Sequence, residues 1–181
     1  MRKIGFIGCG HMAQALIKGL KSNKSYELLG HDRNSKNIAW LKQEKIASYA
    51  LKEVCHQADI LMICVKPKDM YDLCSEMKTY IGKELKIVSV AAGITLESLK
   101  DALSVGKVYR AMPNIGAKHN LGITSIFSHE ELNEILDIFN YLGKAIVVED
   151  EDKINLHTSL IGSAPAFYFE IINEFEHKLN E

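Results

Sequence analysis

The chain has 181 residues, with 22 Lys+Arg against 23 Asp+Glu and 47% hydrophobic residues. At roughly 100–200 residues per domain this allows one complete domain and the start of a second, and a formal net charge of −1 supplies no overall attraction for nucleic acid. The apolar run 60–65 falls far short of the roughly 20 residues that cross a bilayer, so neither nucleic acid nor a membrane is an expected partner and the expected compartment is the cytoplasm.

Apolar runs of strand length alternate with amphipathic stretches of helix length. The pattern predicts a strand at 3–7, a helix at 11–22, a strand at 27–31, a helix at 35–44, a weak strand at 46–49 and a short helix at 51–57. Residues 59–65 read as a strand apolar on both faces, the property of a parallel strand covered by helices on each side. Beyond it come a helix at 69–80, a strand at 86–91, a helix at 96–103, strands at 107–111 and 122–127, a helix at 130–141 and a strand at 145–148. This alternation predicts an α/β fold with a doubly wound, Rossmann-type sheet whose function sits at the strand C-termini. Residues 1–150 form that domain, and 151–181 form the first helices of a C-terminal helical domain. There, a short helix at 153–160 leads to Gly162-Ser163-Ala164-Pro165 and a last helix. Its residues Ala164, Phe167, Tyr168, Ile171, Ile172, Phe175 and Leu179 make an apolar stripe. The sheet domain, a second subunit or further sequence must cover it.

The first strand runs into Gly8-Cys9-Gly10-His11-Met12-Ala13, which fits GxGxxG/A. Gly8 permits the tight turn, Gly10 lets a pyrophosphate approach the backbone, and Ala13 lets the helix pack close to the sheet. Ile7, Gly8, Cys9, Gly10, His11 and Met12 are therefore candidate cofactor-binding residues, with backbone N–H groups facing phosphate. Asp32 ends the second strand where an acid binds the adenosine ribose and favours NAD. Arg33 follows at once and, with Asn34, suits the 2′-phosphate of NADP. NADP is the expected cofactor, with NAD as the alternative.

Three further strand ends carry candidates. Cys64-Val65-Lys66-Pro67 brings Lys66 toward the nicotinamide half, or simply to water, with Pro67 opening a helix. Val90-Ala91-Ala92-Gly93 offers small residues for contact with a flat ring, or a loop limited by packing. Asn114 orients a carboxamide or substrate, or caps a turn. In the acidic run 149–152, Glu151 either attracts a cationic imine or complements a helix dipole. Ser163 either holds a substrate carboxylate beside exposed N–H groups or serves as a routine N-cap. No metal site is expected, because the seven histidines, His157 among them, show no metal-type pairing. Cys9, Cys55, Cys64 and Cys74 lack CxxC or finger spacing and read as small buried hydrophobes. No GxSxG or HExxH pattern supports hydrolysis.

Five segments taken in order carry a family likeness: 5–13, 58–67, 88–95, Arg110-Ala111-Met112-Pro113-Asn114, and Gly162-Ser163-Ala164-Pro165-Ala166. Together the chain resembles pyrroline-5-carboxylate reductase. The resemblance implies hydride transfer from NAD(P)H to the C=N carbon of 1-pyrroline-5-carboxylate, a cyclic imine carboxylate, to give L-proline. It implies that the segments ending at Pro67 and Gly93 flank the nicotinamide and that Glu151 and Ser163 lie near substrate; it names no catalytic residue here. Similar enzymes continue into a helical domain that forms an interlocked dimer, which makes a homo-oligomer through the last helix the expected partner. Departures are Ile115-Gly116 in place of Thr-Pro, Ile161-Gly162-Ser163-Ala164-Pro165 in place of Ser-Gly-Ser-Gly-Pro, and Leu51 in place of an Asn. The alternatives are a non-catalytic NAD(P)-binding regulatory protein and a related NADP oxidoreductase with another substrate.

Overall fold

The computed structural model describes residues 1–104 and 106–179; the last two residues of the predicted 151–181 segment lie outside it. In chain order the elements are β1 (Arg2–Ile7), α1 (His11–Leu20), β2 (Tyr26–His31), α2 (Ser35–Gln43), β3 (Ala47–Ser48), α3 (Leu51–Gln57), β4 (Ile60–Ile63), α4 (Met70–Met77), β5 (Lys86–Ser89), α5 (Leu96–Leu103), β6 (Lys107–Met112), β7 (Gly122–Phe127), α6 (Asn133–Tyr141), β8 (Gly143–Val147), α7 (Asp152–His157) and α8 (Ala164–Leu179). Short 3-10 segments occupy Pro67–Asp69 and Ile115–His119, and a π-helical turn occupies Thr158–Ser163.

The strands form one sheet in the order β3-β2-β1-β4-β5-β6-β7-β8. From β3 through β6 all neighbours are parallel. The strand order reverses direction at β1, with β2 on one side and β4 on the other, which opens a crevice beyond Ile7 and its register partner Ile63. The doubly wound sheet is as expected, and it is extended by β7, which runs antiparallel to β6. Only residues 113–121 connect these strands, and a parallel return needs a dozen or more residues to cross over. β8 then pairs parallel with β7 across the α6 connection.

The double-faced strand expected at 59–65 is realised in β4. Ile60 and Met62 pack into one core with Phe6, Leu16 and Phe139, while Leu61 and Ile63 enter the opposite core with Val54, Leu73 and Leu99. Helices α1, α2 and α6 therefore cover one face and α3, α4 and α5 the other. Ile154 carries α7 onto the second face, where it is fully buried with Val148 and Phe127.

The predicted break at 162–165 is absent, because α7, the π turn and α8 follow one another without interruption. Pro165 explains the π turn: it has no N–H, and its ring would clash with the carbonyl of Ile161 in an α-helical register. A wider turn just before the proline accommodates both defects. No described residue of α8 is buried, and Phe167, Ile171 and Phe175 are 68%, 53% and 65% exposed. Among the described residues no helix is long and apolar enough to cross a membrane.

Gly19 tests how tightly α1 is packed. A Cβ at this position would overlap the Ala117 carbonyl oxygen and the Leu142 side chain. Helix propensity alone favours Gly19→Ala by about 1 kcal/mol, yet overpacking against backbone costs about 1–3 kcal/mol. With backbone as the obstacle the cost lies at the upper end, and the net loss of about 2 kcal/mol lowers the melting temperature by roughly 4–8 °C for a chain of this size, measurable by circular dichroism.

Candidate active site

The crevice between β1 and β4 opens into a cavity of about 410 Å³. Of the sequence candidates, Ile7, Gly8, Gly10, Asp32, Arg33, Asn34, Cys64, Val65 and Lys66 line it, together with His31, Asn37, Lys68, Asp69 and Leu73. A larger cavity of about 540 Å³ lies at the opposite edge of the sheet. Its charged lining is largely consumed internally, since Arg2 pairs with Asp59 and Glu134, Lys86 with Glu134, and Lys107 with Glu84. The crevice at the strand C-termini is the better candidate on chemistry.

Gly8 has φ +83°, and a side chain there would press on Val65 and Cys64, so the tight turn requires glycine. Gly10 differs: its backbone is extended and the space where a Cβ would stand is open. Helices α2 and α5 are capped by the side chains of Asn34 and Thr95, and the Glu53 carboxylate takes the Ala50 N–H at the start of α3. No side chain caps α1. Gly10, at the start of α1, lines the cavity, and a helix N-terminus there suits phosphate. Cys9 lies beneath this loop, where burial first and the charge of Asp32 second push its thiol up to about 12. It therefore stays a neutral thiol near neutral pH, directed at the His31 carbonyl.

Asp32 is the hub of the outer cleft. Its Oδ2 accepts from the Cys9 N–H at 2.6 Å and from Asn37 Nδ2 at 2.9 Å, and its Oδ1 accepts from the Asn34 N–H at 2.6 Å. The acid expected to bind ribose thus first ties the glycine loop to the turn after β2. Arg33 Nη2 lies 2.7 Å from Glu76 Oε2 on α4.

The remaining candidates stand farther along the same sheet edge, outside the cavity. Val90, Ala91 and Ala92 follow β5, where Ser89 Oγ accepts from the Ala91 N–H at 3.3 Å and Gly93 adopts φ +71°. Asn114 follows β6, and its Oδ1 accepts from the Ile123 N–H at 3.1 Å, tying the end of β6 to β7. His11 and Met12 open α1, and Pro67 opens the 3-10 segment after β4. Leu51 is buried in the α3 core.

Glu151 does not stand free. Its Oε1 accepts from Arg110 Nη1 at 2.7 Å and from the Leu96 N–H at the start of α5 at 2.6 Å. Its negative charge is matched by a guanidinium only 2% exposed. Arg110 Nη2 is buried and has no hydrogen-bond partner among the described residues. The N-cap reading of Ser163 is corrected by the continuous helix: Ser163 lies within the π turn, its Oγ 3.4 Å from the Thr158 carbonyl, with no exposed first turn beside it.

Sequence reasoning missed two partnerships. Arg110 sits between buried Tyr109 and Ala111, and a charge inside a buried strand signals a buried ion pair. Its partner, 41 residues away, leaves no local trace. Ser125, fully buried on β7 opposite Met112, lies 2.5 Å from His157 Nδ1 through its Oγ. Among the described residues no cluster of metal-ligating side chains occurs.

Removing one member of a buried ion pair costs about 3–5 kcal/mol; the partial exposure of Glu151 lowers this to about 2 kcal/mol for Glu151→Gln. Arg110→Met combined with Glu151→Gln, which keeps an acceptor for the Leu96 N–H, is expected in urea denaturation to lose clearly less than the sum of the two single variants. Additive losses in the two single variants and the double would refute the coupling.

Residues 3–93 match the family model described as NADP oxidoreductase coenzyme F420-dependent. The chain is 35% identical over 182 residues to pyrroline-5-carboxylate reductase of Escherichia coli, covering 94% of this chain and 67% of that protein. It is 32% identical over 188 residues to the protein of the same name from Methanosarcina acetivorans, again covering 94% and 67%. The solved pyrroline-5-carboxylate reductase of Coxiella burnetii superposes with a TM-score of 0.84 at 26% identity, over 98% of this chain and 70% of that one. This chain thus spans about two thirds of the length of these relatives, and, by sequence and by fold, it belongs to the pyrroline-5-carboxylate reductase family.

Proposed function

We propose that this chain is an NADPH-dependent imine reductase that converts 1-pyrroline-5-carboxylate to L-proline in the cytoplasm. The observation that carries this reading is the alignment of four segments on one sheet edge. The glycine loop, Lys66-Pro67, Val90–Gly93 and Pro113-Asn114 leave the neighbouring strands β1, β4, β5 and β6 in that order. An extended dinucleotide laid along this edge meets its adenosine half first, in the cavity beside Asp32 and Arg33, and its nicotinamide half toward β5 and β6.

The dinucleotide, when bound, supplies the hydride. The chain's own residues bind and orient. The open N-terminus of α1 and the bare surface of Gly10 receive the pyrophosphate, and Arg33 with Asn34 meets the 2′-phosphate. Val65, Lys66 and Pro67 on one side, and Val90, Ala91 and Ala92 on the other, bound the nicotinamide. Asn114 and the π turn around Ser163 border the substrate. Glu151 serves there through Arg110 and the start of α5, fixing where α7 begins. Holding a small anionic imine against the ring supplies most of what such a step needs from a protein.

Residues 1–150 act as the cofactor domain and 151–181 as the start of a helical one. The exposed apolar side chains of α8, Phe167, Ile171, Ile172 and Phe175 among them, are proposed to lie in a homo-oligomer contact. Sedimentation of the chain across concentration tests this, and a monomer at every concentration would refute it.

The reaction is tested by following the loss of NADPH absorbance on addition of 1-pyrroline-5-carboxylate, with proline as product; no substrate-dependent loss would refute the reading. Gly10→Val separates the cofactor from the fold. Because the space at Gly10 is open, the melting temperature should stay within about 2 °C. NADPH affinity should fall at least about 100-fold as the side chain occupies the phosphate's place. Unchanged affinity would remove the loop from the site.

A further inference from the structure

Two features of the outer cleft bear on how the protein tells its nucleotides apart. Asp32 spends three acceptor positions on Cys9, Asn34 and Asn37, and a carboxylate has about four. Little remains for the ribose hydroxyls that reward NAD. Arg33, in contrast, lines the cavity from the β2 side, while its guanidinium reaches across to Glu76 on α4, one turn beyond the cavity residue Leu73.

We propose that Glu76 is a specificity-determining residue that competes with the 2′-phosphate of NADP for Arg33. In the free protein Glu76 holds the Arg33 guanidinium across the mouth of the cleft; the 2′-phosphate replaces it as the partner. The inference rests on the proposed use of NADPH and adds to it a built-in competitor.

The energetics decide the direction. The Arg33 and Glu76 side chains are 74% and 44% exposed, and an exposed ion pair of this kind alters an equilibrium by only about two- to fivefold. A phosphate near charge −2 with three acceptor oxygens is the stronger partner for a guanidinium fork. NADPH therefore displaces Glu76 at a small cost. NADH has no 2′-phosphate and leaves the pair intact. Glu76 accordingly weakens NADPH binding and leaves NADH binding almost untouched, so its removal sharpens the preference for NADPH.

The test is fluorescence titration of the parent chain, Glu76→Gln and Arg33→Ala with NADPH and with NADH at one fixed ionic strength, reading nicotinamide emission. Glu76→Gln should lower the Kd for NADPH at least twofold and change that for NADH less than 1.5-fold. Arg33→Ala should raise the Kd for NADPH at least about tenfold with little change for NADH. Unchanged or weaker NADPH binding by Glu76→Gln overturns the competition, even where Arg33→Ala keeps its effect. An Arg33→Ala variant that binds NADPH normally, or a parent chain that binds neither nucleotide, overturns the cofactor reading beneath it. Both residues are exposed, and an unchanged melting temperature verifies that each variant is folded.

Discussion

The site depends first on Asp32. One carboxylate joins the backbone of the glycine loop, the turn after β2 and the side chain of Asn37 in the first turn of α2. Without it, the loops at the ends of β1 and β2 would be separate segments, each free to choose its own conformation. With it, the uncapped N-terminus of α1 is held at a set distance from Arg33. An arrangement that needs no ligand to exist loses less entropy when one binds.

The same economy recurs at the far end of the site. Glu151 links Arg110 in β6, the N–H of Leu96 in α5 and the start of α7. Two elements of the sheet domain are thereby tied to the helical segment by one carboxylate. Burying such a pair is not a strong source of stability, because desolvation consumes much of its Coulomb energy. Its value lies in geometry: alternative placements of α7 would leave a buried guanidinium unpaired, and Arg110 Nη2 already lacks a partner among the described residues.

Much of this was legible in the sequence because it is local. A strand followed by GxGxxA, an acid and a base at the end of the next strand, and an apolar run without alternation each carry their structural meaning within a few residues. The illegible parts are relational. Nothing in the neighbours of Asp32 says that its carboxylate also holds Cys9 and Asn37. Nothing near Glu151 announces Arg110, which is distant in sequence. The reversal at β7 shows only in the length of a connection: strand patterns announce burial, whereas direction follows from how many residues join the strands.

Pro165 shows why a strong local signal can still mislead. Proline after a Gly-Ser pair reads as the start of a new helix, and on local chemistry a break with Ser163 as N-cap satisfies every rule. The chain instead stays helical and absorbs the proline in a π turn. Here the preceding helix decides the outcome. Ile154 is buried in the sheet core, and Glu151 is bound to Arg110 and Leu96, so α7 has a fixed direction before the chain reaches Thr158. A break would need a new cap and solvation for the last carbonyls of α7, whereas one widened turn keeps most helical hydrogen bonds. The direction of α8, and with it the placement of its exposed aromatic and aliphatic side chains, is therefore inherited from an ion pair more than ten residues upstream.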